Sequence, residues 1–352
     1  MSRRAPPAPC DLSRPEPTGP DGGYLLCGEA GSAWGRNPAD ALGVAARRDH
    51  MTQRHPKVSI GLPTYNGERY LAEAITSLLE QDFADLELLL ADNASTDGTR
   101  EICERFARED DRVRYLPADR NRGASWNFKR MIAEARGPYF KWAADDDTYE
   151  AAYVGLCVKV LDDQPDVVLS YTQAVEIDSE GNVIEKRGPT NVASHEDPAV
   201  RFRRVVMDEV YCYAVFGVIR AEALGTTGLI GSFSQSDRVL LAELSLHGRF
   251  VELDEPFFRH REHPGRSMYA YADDRDRQRW FDTSRDGSLT MPRWRLGVEY
   301  RRALHRAGPR LTSTERRRAA TTFAPWGMAN GPVLGRELAR TTVVRAKRRL
   351  RK

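Results

Sequence analysis

The sequence predicts an α/β fold: a mostly parallel, doubly wound sheet with flanking helices, continued by a helical C-terminal extension. Three observations carry this. From Lys57 to Ile177, short apolar runs alternate with stretches of helical spacing. Residues 86–91 form an apolar run broken only by Glu87, as in a parallel strand covered on both faces. Polar clusters follow several of the apolar runs, which is where such sheets bind ligands.

Taken in order, Val58, Ile60 and Leu62 make a first strand ending at Pro63. Tyr70, Leu71, Ala74, Ile75, Leu78 and Leu79 recur at helical spacing. Strand 86–91, helix 97–109, strand 112–116 and helix 125–135 follow, the last stopped by Gly137-Pro138. Strand 139–144, helix 151–161 and strand 167–177 complete the regular part, closed by a turn at 179–182. The second half is less periodic. Residues 202–207 and 237–246 read as helical, and 211–219 and 250–253 as extended. Beyond Asp273 the chain is Arg-rich with helical spacing. The expected division is a disordered extension over 1–55, a main domain over 56–270 with halves 56–150 and 151–270, and a helical region over 271–352.

Composition narrows the classes. Of 352 residues 41% are hydrophobic and 30% charged, enough for a large core. No apolar run approaches the roughly 20 residues of a spanning helix, and the Arg- and Pro-rich start lacks the apolar segment of a secretory signal. Residues 1–50 hold seven Pro and seven Gly without periodicity, a disordered composition, and Met51 stands where translation could begin instead. Five scattered cysteines (Cys10, Cys27, Cys103, Cys157, Cys212) form no CxxC pair, which fits reduced thiols rather than a disulfide frame or zinc site. Net charge is +2, which calls for no nucleic-acid partner. Residues 336–352, however, carry eight Lys/Arg against the single acid Glu337. That run points to a peripheral contact with an anionic membrane face, and with the cysteines to a cytoplasmic location at the inner face of the membrane.

Asp145-Asp146-Asp147 is the sharpest chemical signal. Adjacent carboxylates repel one another and need a counter-charge or full solvation. Mg²⁺ or Mn²⁺ supplies that charge through oxygen ligands. A solvated acidic turn would explain an isolated triplet, but the apolar run 139–144 sets this one at a strand end. Residues 92–99 (Asp92-Asn93-Ala94-Ser95-Thr96-Asp97-Gly98-Thr99) make a second polar loop after a buried strand. Asp97 there reads as a helix cap, and Asp92 as a ligand contact.

The ordered set Pro63-Thr64-Tyr65-Asn66-Gly67, then 92–99, then Asn121-Arg122-Gly123, then Trp142-Ala143-Ala144-Asp145-Asp146-Asp147 resembles the inverting family 2 glycosyltransferases, over about residues 57–265. The resemblance implies the GT-A fold, a nucleotide-diphosphate sugar donor, a hydroxyl acceptor of unknown identity, and a DxD-type acidic motif holding Mn²⁺ or Mg²⁺. It places Pro63, Thr64, Tyr65, Asn66, Glu68, Asp92 and Asn93 around the nucleotide, Arg122 near its phosphates or base, and Asp145 on the ribose or sugar. It places Asp146 on the metal, with Asp147 as the other register. In the second half it implies an acid at a helix start as general base, which Asp237 matches. It also implies a histidine near metal or diphosphate, His263 before His260, with Arg266 pairing with the diphosphate. A nucleotidyltransferase or a non-catalytic nucleotide-sugar-binding adaptor are the competing readings. The first lacks a Gly-rich basic signature near the first strand, and the second does not account for both Asp146 and Asp237.

Overall fold

The structure, a computed structural model, describes residues 55–208, 212–270, 273–284 and 291–349. The expectation of disorder for the N-terminal extension falls on residues outside this set, apart from His55. The first half alternates strictly: β1 Val58–Thr64, α1 Leu71–Leu79, β2 Leu86–Asp92, α2 Thr99–Glu109, β3 Val113–Pro117, α3 Ala124–Glu134, β4 Tyr139–Trp142. Then come β5 Thr148–Tyr149, α4 Tyr153–Asp163, β6 Val167–Ile177, β7 Val183–Lys186 and α5 Pro198–Met207. A 3₁₀ turn at Cys212–Phe216 leads to β8 Val218–Arg220, α6 Ala221–Gly225, α7 Ser236–His247 and β9 Arg249–Arg261. The chain ends in helices α8 Ser267–Ala270, α9 Asp274–Phe281, α10 Pro292–Ala307, α11 Ser313–Ala320 and α12 Phe323–Arg349.

One nine-stranded sheet runs in the order β3-β2-β1-β4-β8-β6-β9-β5, with β7 paired to β6. The half β3-β2-β1-β4 is parallel. Beyond it β8 inserts antiparallel between β4 and β6, and β9 pairs parallel with β6, so the whole sheet is mixed. Side-chain alternation splits the core by face. Val58, Ile60 and Leu62 of β1 pack with α1 and α4, while Phe140 and Trp142 of β4 join α3, α5, α7 and α10 on the other face. Glu87, the one break in the β2 run, is buried against the Ser59 hydroxyl at 2.7 Å and Arg114 at 3.0 Å.

Segment 211–219 was expected to be extended; its described residues, from Cys212 on, instead form the 3₁₀ turn and the short β8. Buried polar bonds explain the difference. The Lys141 ammonium donates to the Phe216 carbonyl at 2.5 Å, and the Tyr213 hydroxyl donates to Glu176 at 2.8 Å, which folds the segment back on the sheet.

Candidate active site

In-register parallel pairing sets Thr64 opposite Asp92 and Gly61 opposite Trp142. Three strand ends therefore deliver segments 63–67, 92–99 and 143–147 to one sheet edge. A cleft of about 1560 Å³ opens there. It is lined by Pro63, Thr64, Tyr65, Asn66 and Asn93 and by Asp145, Asp146, Asp147, His260, His263 and Arg266. Asp237 lies on the same cleft from the second half of the chain.

The three aspartates have different surroundings. Asp145 Oδ2 accepts the Thr64 hydroxyl at 2.5 Å, and burial beside the Asp146 charge pushes its carboxyl above the ordinary range. A Cβ on Gly67 would stand 2.5 Å from Asp145 Oδ2 and 2.6 Å from Thr64 Oγ1, so glycine alone lets the loop close over this bond. Asp147 is fully buried; it accepts the Arg261 backbone N–H at 2.9 Å and meets His260 Nδ1 at 3.2 Å. Burial raises its pKa as well. Asp146 Oδ2 lies 3.0 Å from His263 Nε2. Arg266 is held by Glu262 and lies 2.5 Å from His260 Nε2.

Three expected donor contacts, Asp92, Glu68 and Arg122, are not among the residues that line the cleft, and each has partners within the protein. Asp92 accepts Ser95 N–H at 2.9 Å, Ser95 Oγ–H at 2.6 Å and the Tyr115 hydroxyl at 3.0 Å. Glu68 accepts Gly98 N–H at 2.7 Å, which stitches the 64–68 loop to the 92–99 loop. Arg122 pairs with Asp119 at 2.6 Å and covers the Trp126 ring at 4.7 Å. Asp97 accepts Thr99 N–H at 3.1 Å, one residue before the helix cap Gly98. Asn66 is left-handed (φ 56°), and its side chain accepts Thr96 N–H at 2.9 Å.

Asp237 sits in the first turn of α7, which the left-handed Gln235 (φ 66°) starts. Its carboxylate accepts Arg238 N–H at 2.8 Å and the Cys212 thiol, and burial raises its pKa above the ordinary value.

Sequence reasoning missed Arg261, Tyr70 and α9. Arg261, with its side chain 1% exposed, donates to the Asp146 carbonyl at 2.9 Å and to Glu73 at 2.7 Å, and covers the Tyr70 ring at 4.6 Å. These partners lie up to 188 residues away in sequence, so no local pattern marks them. Tyr70 read as a helix-spacing apolar residue, yet its ring packs edge-on against His263 at 4.9 Å. From α9, Asp276, Trp280 and Phe281 line the cleft, although this segment was expected to lie outside the main domain.

Residues 59–224 match the family model described as Glycosyl transferase family 2. Among curated relatives, the chain is 33% identical over 132 residues to chondroitin synthase of Escherichia coli, covering 38% of this chain and 19% of that one. It is 34% identical over 93 residues to the GalNAc(5)-diNAcBac-PP-undecaprenol beta-1,3-glucosyltransferase of Campylobacter jejuni, covering 26% and 30%. The matched stretches thus span under a third of either relative. Among solved structures, S. aureus TarS 1–349 in complex with UDP-GlcNAc is similar at TM-score 0.56 and 15% identity, over 80% of this chain and 79% of that one. At that identity the likeness bears on fold alone. Motif order, sheet and family match agree: residues 59–224 form a glycosyl transferase family 2 domain, and the chain is built on the GT-A fold.

Proposed function

We propose that the chain is a divalent-metal-dependent, inverting glycosyltransferase. It moves a sugar from a nucleotide-diphosphate sugar to an acceptor hydroxyl in polysaccharide, glycolipid or other glycoconjugate synthesis. One observation carries this reading: the Asp146–His263 pair and Asp237 open on the same cleft as Pro63, Thr64, Tyr65 and Asn66. The named activities of the E. coli and C. jejuni relatives and the UDP-GlcNAc held by S. aureus TarS support it.

The residues fit a Mn²⁺ or Mg²⁺ ion. Among the described residues no three His, Cys, Asp or Glu side chains form a cage by themselves. These ions commonly take only one or two protein carboxylates and complete their shell with substrate phosphates. Asp146 supplies a carboxylate and His263 an imidazole nitrogen, with Asp147 buried behind them. The Tyr70 hydroxyl, buried without a partner on the cleft wall beside His263, is a donor left for a ligand oxygen. When bound, such an ion neutralises the departing diphosphate.

Tyr65 and Asn93 face the nucleotide, Asp145 holds the ribose or sugar from its Thr64 anchor, and Arg266 directs its guanidinium at phosphate. Asp237 takes the proton of the acceptor hydroxyl as that oxygen bonds to the anomeric carbon and the carbon–oxygen bond to diphosphate breaks. Attack from the face opposite the leaving group inverts the configuration. The basic run 336–352 holds the enzyme at an anionic membrane face. NMR of the product tests the stereochemistry: the new anomeric bond is expected opposite to the donor's, and retention would contradict the reading.

A further inference from the structure

The start of α7 holds an arrangement that the transfer chemistry does not use. Ser236 is 1% exposed, lines the cleft, and its hydroxyl has no hydrogen-bond partner. A buried hydroxyl without a partner costs free energy unless a ligand satisfies it. It sits at the first position of a 12-residue helix whose cap, Gln235, contributes no side-chain bond; Asp237 takes the Arg238 N–H, which leaves the amides of Ser236 and Asp237 at the positive end. Two residues on, Arg238 also lines the cleft. Its Nε donates to the Val205 carbonyl at 3.1 Å, and among the described residues no carboxylate pairs with its guanidinium. Arg266 on the same cleft, by contrast, has a carboxylate partner in Glu262.

The segment leading in is braced, so the site is preorganised. Ser125 Oγ donates to the Ile230 carbonyl at 3.0 Å, and Gln278 of α9 donates to the Ser232 carbonyl at 2.8 Å. Arg295 covers the Phe233 ring at 5.2 Å.

We propose that the Ser236 hydroxyl, the Arg238 guanidinium and the amides of Ser236 and Asp237 bind an anionic group, phosphate or carboxylate, carried by the acceptor beside its attacking hydroxyl. The acceptor class is then an acidic glycan or a phosphate-bearing polyol or lipid, rather than a neutral sugar. This rests on the transferase reading and on Asp237 marking the acceptor side of the cleft. The groups offered are donors: a hydroxyl, a guanidinium and a helix N-terminus. Asp237, the one neighbouring acid, already accepts Arg238 N–H and the Cys212 thiol.

Isothermal titration of inorganic phosphate into the full chain, loaded with Mg²⁺ and saturating UDP, tests this with the donor's own phosphate site filled. Phosphate is expected to bind, and Arg238→Gln to weaken it about tenfold or more, the loss of one charge-assisted contact. Ser236→Ala, a change too small to unfold α7, is expected to weaken it in the same direction. Methyl glucoside, a neutral probe, is expected to give no comparable signal. Three results would overturn the proposal: no phosphate binding to the loaded chain, displacement of phosphate by UDP, or unchanged affinity in both variants. If UDP, GDP and dTDP all fail to bind, the donor reading fails instead. The phosphate titration with Mg²⁺ alone then decides the anion site by the same variant comparison.

Discussion

Asp237 concentrates the chemical claim in one side chain. Removing a general base costs about 10²- to 10⁴-fold in rate. Asp237→Asn is therefore expected to lower kcat by that factor while the donor Kd, measured by titration, stays as in the wild type. Full transfer by this variant would remove Asp237 from the base role. Burial raises the pKa of this carboxyl. The base works only when ionised, so kcat should rise with pH through a midpoint above the ordinary carboxylate value of about 3.9. An acid limb at or below that value would contradict the burial. At this scale the sequence was informative wherever a cleft-lining polar side chain lies in a short segment after a strand. Thr64, Asn93 and Asp146 could be named that way. Asp92 and Glu68 come from the same segments, and their bonds to Ser95, Tyr115 and Gly98 are ones that no sequence pattern shows.

The strand β9 decides how the acidic turn is held. Its last residue, Arg261, donates from its backbone to Asp147 and from its side chain to the Asp146 carbonyl and Glu73. A planar guanidinium makes these bonds at once, and a lysine ammonium cannot. Arg261→Lys is expected to raise the metal concentration needed for half-maximal activity several-fold, with kcat at saturating metal changed less. Equal loss of both, or none, would deny it this positioning role. The strand was legible only in its first part. Residues 250–253 read as extended, but Asp254-Glu255-Pro256 interrupts the apolar pattern of what is a 13-residue strand. Its pairing with β6 shifts register between Thr172 and Ala174 to accommodate that stretch. The two-residue β5 and β7, exposed at every position, carry no periodicity to read. The first seven elements were legible because β1, β2 and β4 are buried on both faces, which writes apolar runs into the sequence between helices of clear periodicity.

The whole chain combines a family 2 fold with helices that contribute both to the cleft, through α9, and to the surface, through α12. Among the described residues no helix is long and apolar enough to cross a membrane. The proposed contact of the C-terminal charge with an anionic leaflet would contribute about 1 kcal/mol per Lys or Arg. The full chain is expected to co-sediment with phosphatidylserine vesicles at low salt and to be released at high salt. Changing Arg345, Lys347, Arg348 and Arg349 together to Gln should weaken binding at least about tenfold. Undiminished binding would place the contact elsewhere. The central claim is that Asp146, with His263, grips a divalent ion that in turn holds a nucleoside diphosphate in this cleft. Isothermal titration of UDP, GDP and dTDP, with and without Mn²⁺, into the wild type and Asp146→Ala tests it most directly. One diphosphate should bind the wild type at least about tenfold more tightly with Mn²⁺, and Asp146→Ala should lose that gain. Nucleotide binding indifferent to both Mn²⁺ and Asp146, or no binding at all, would contradict it.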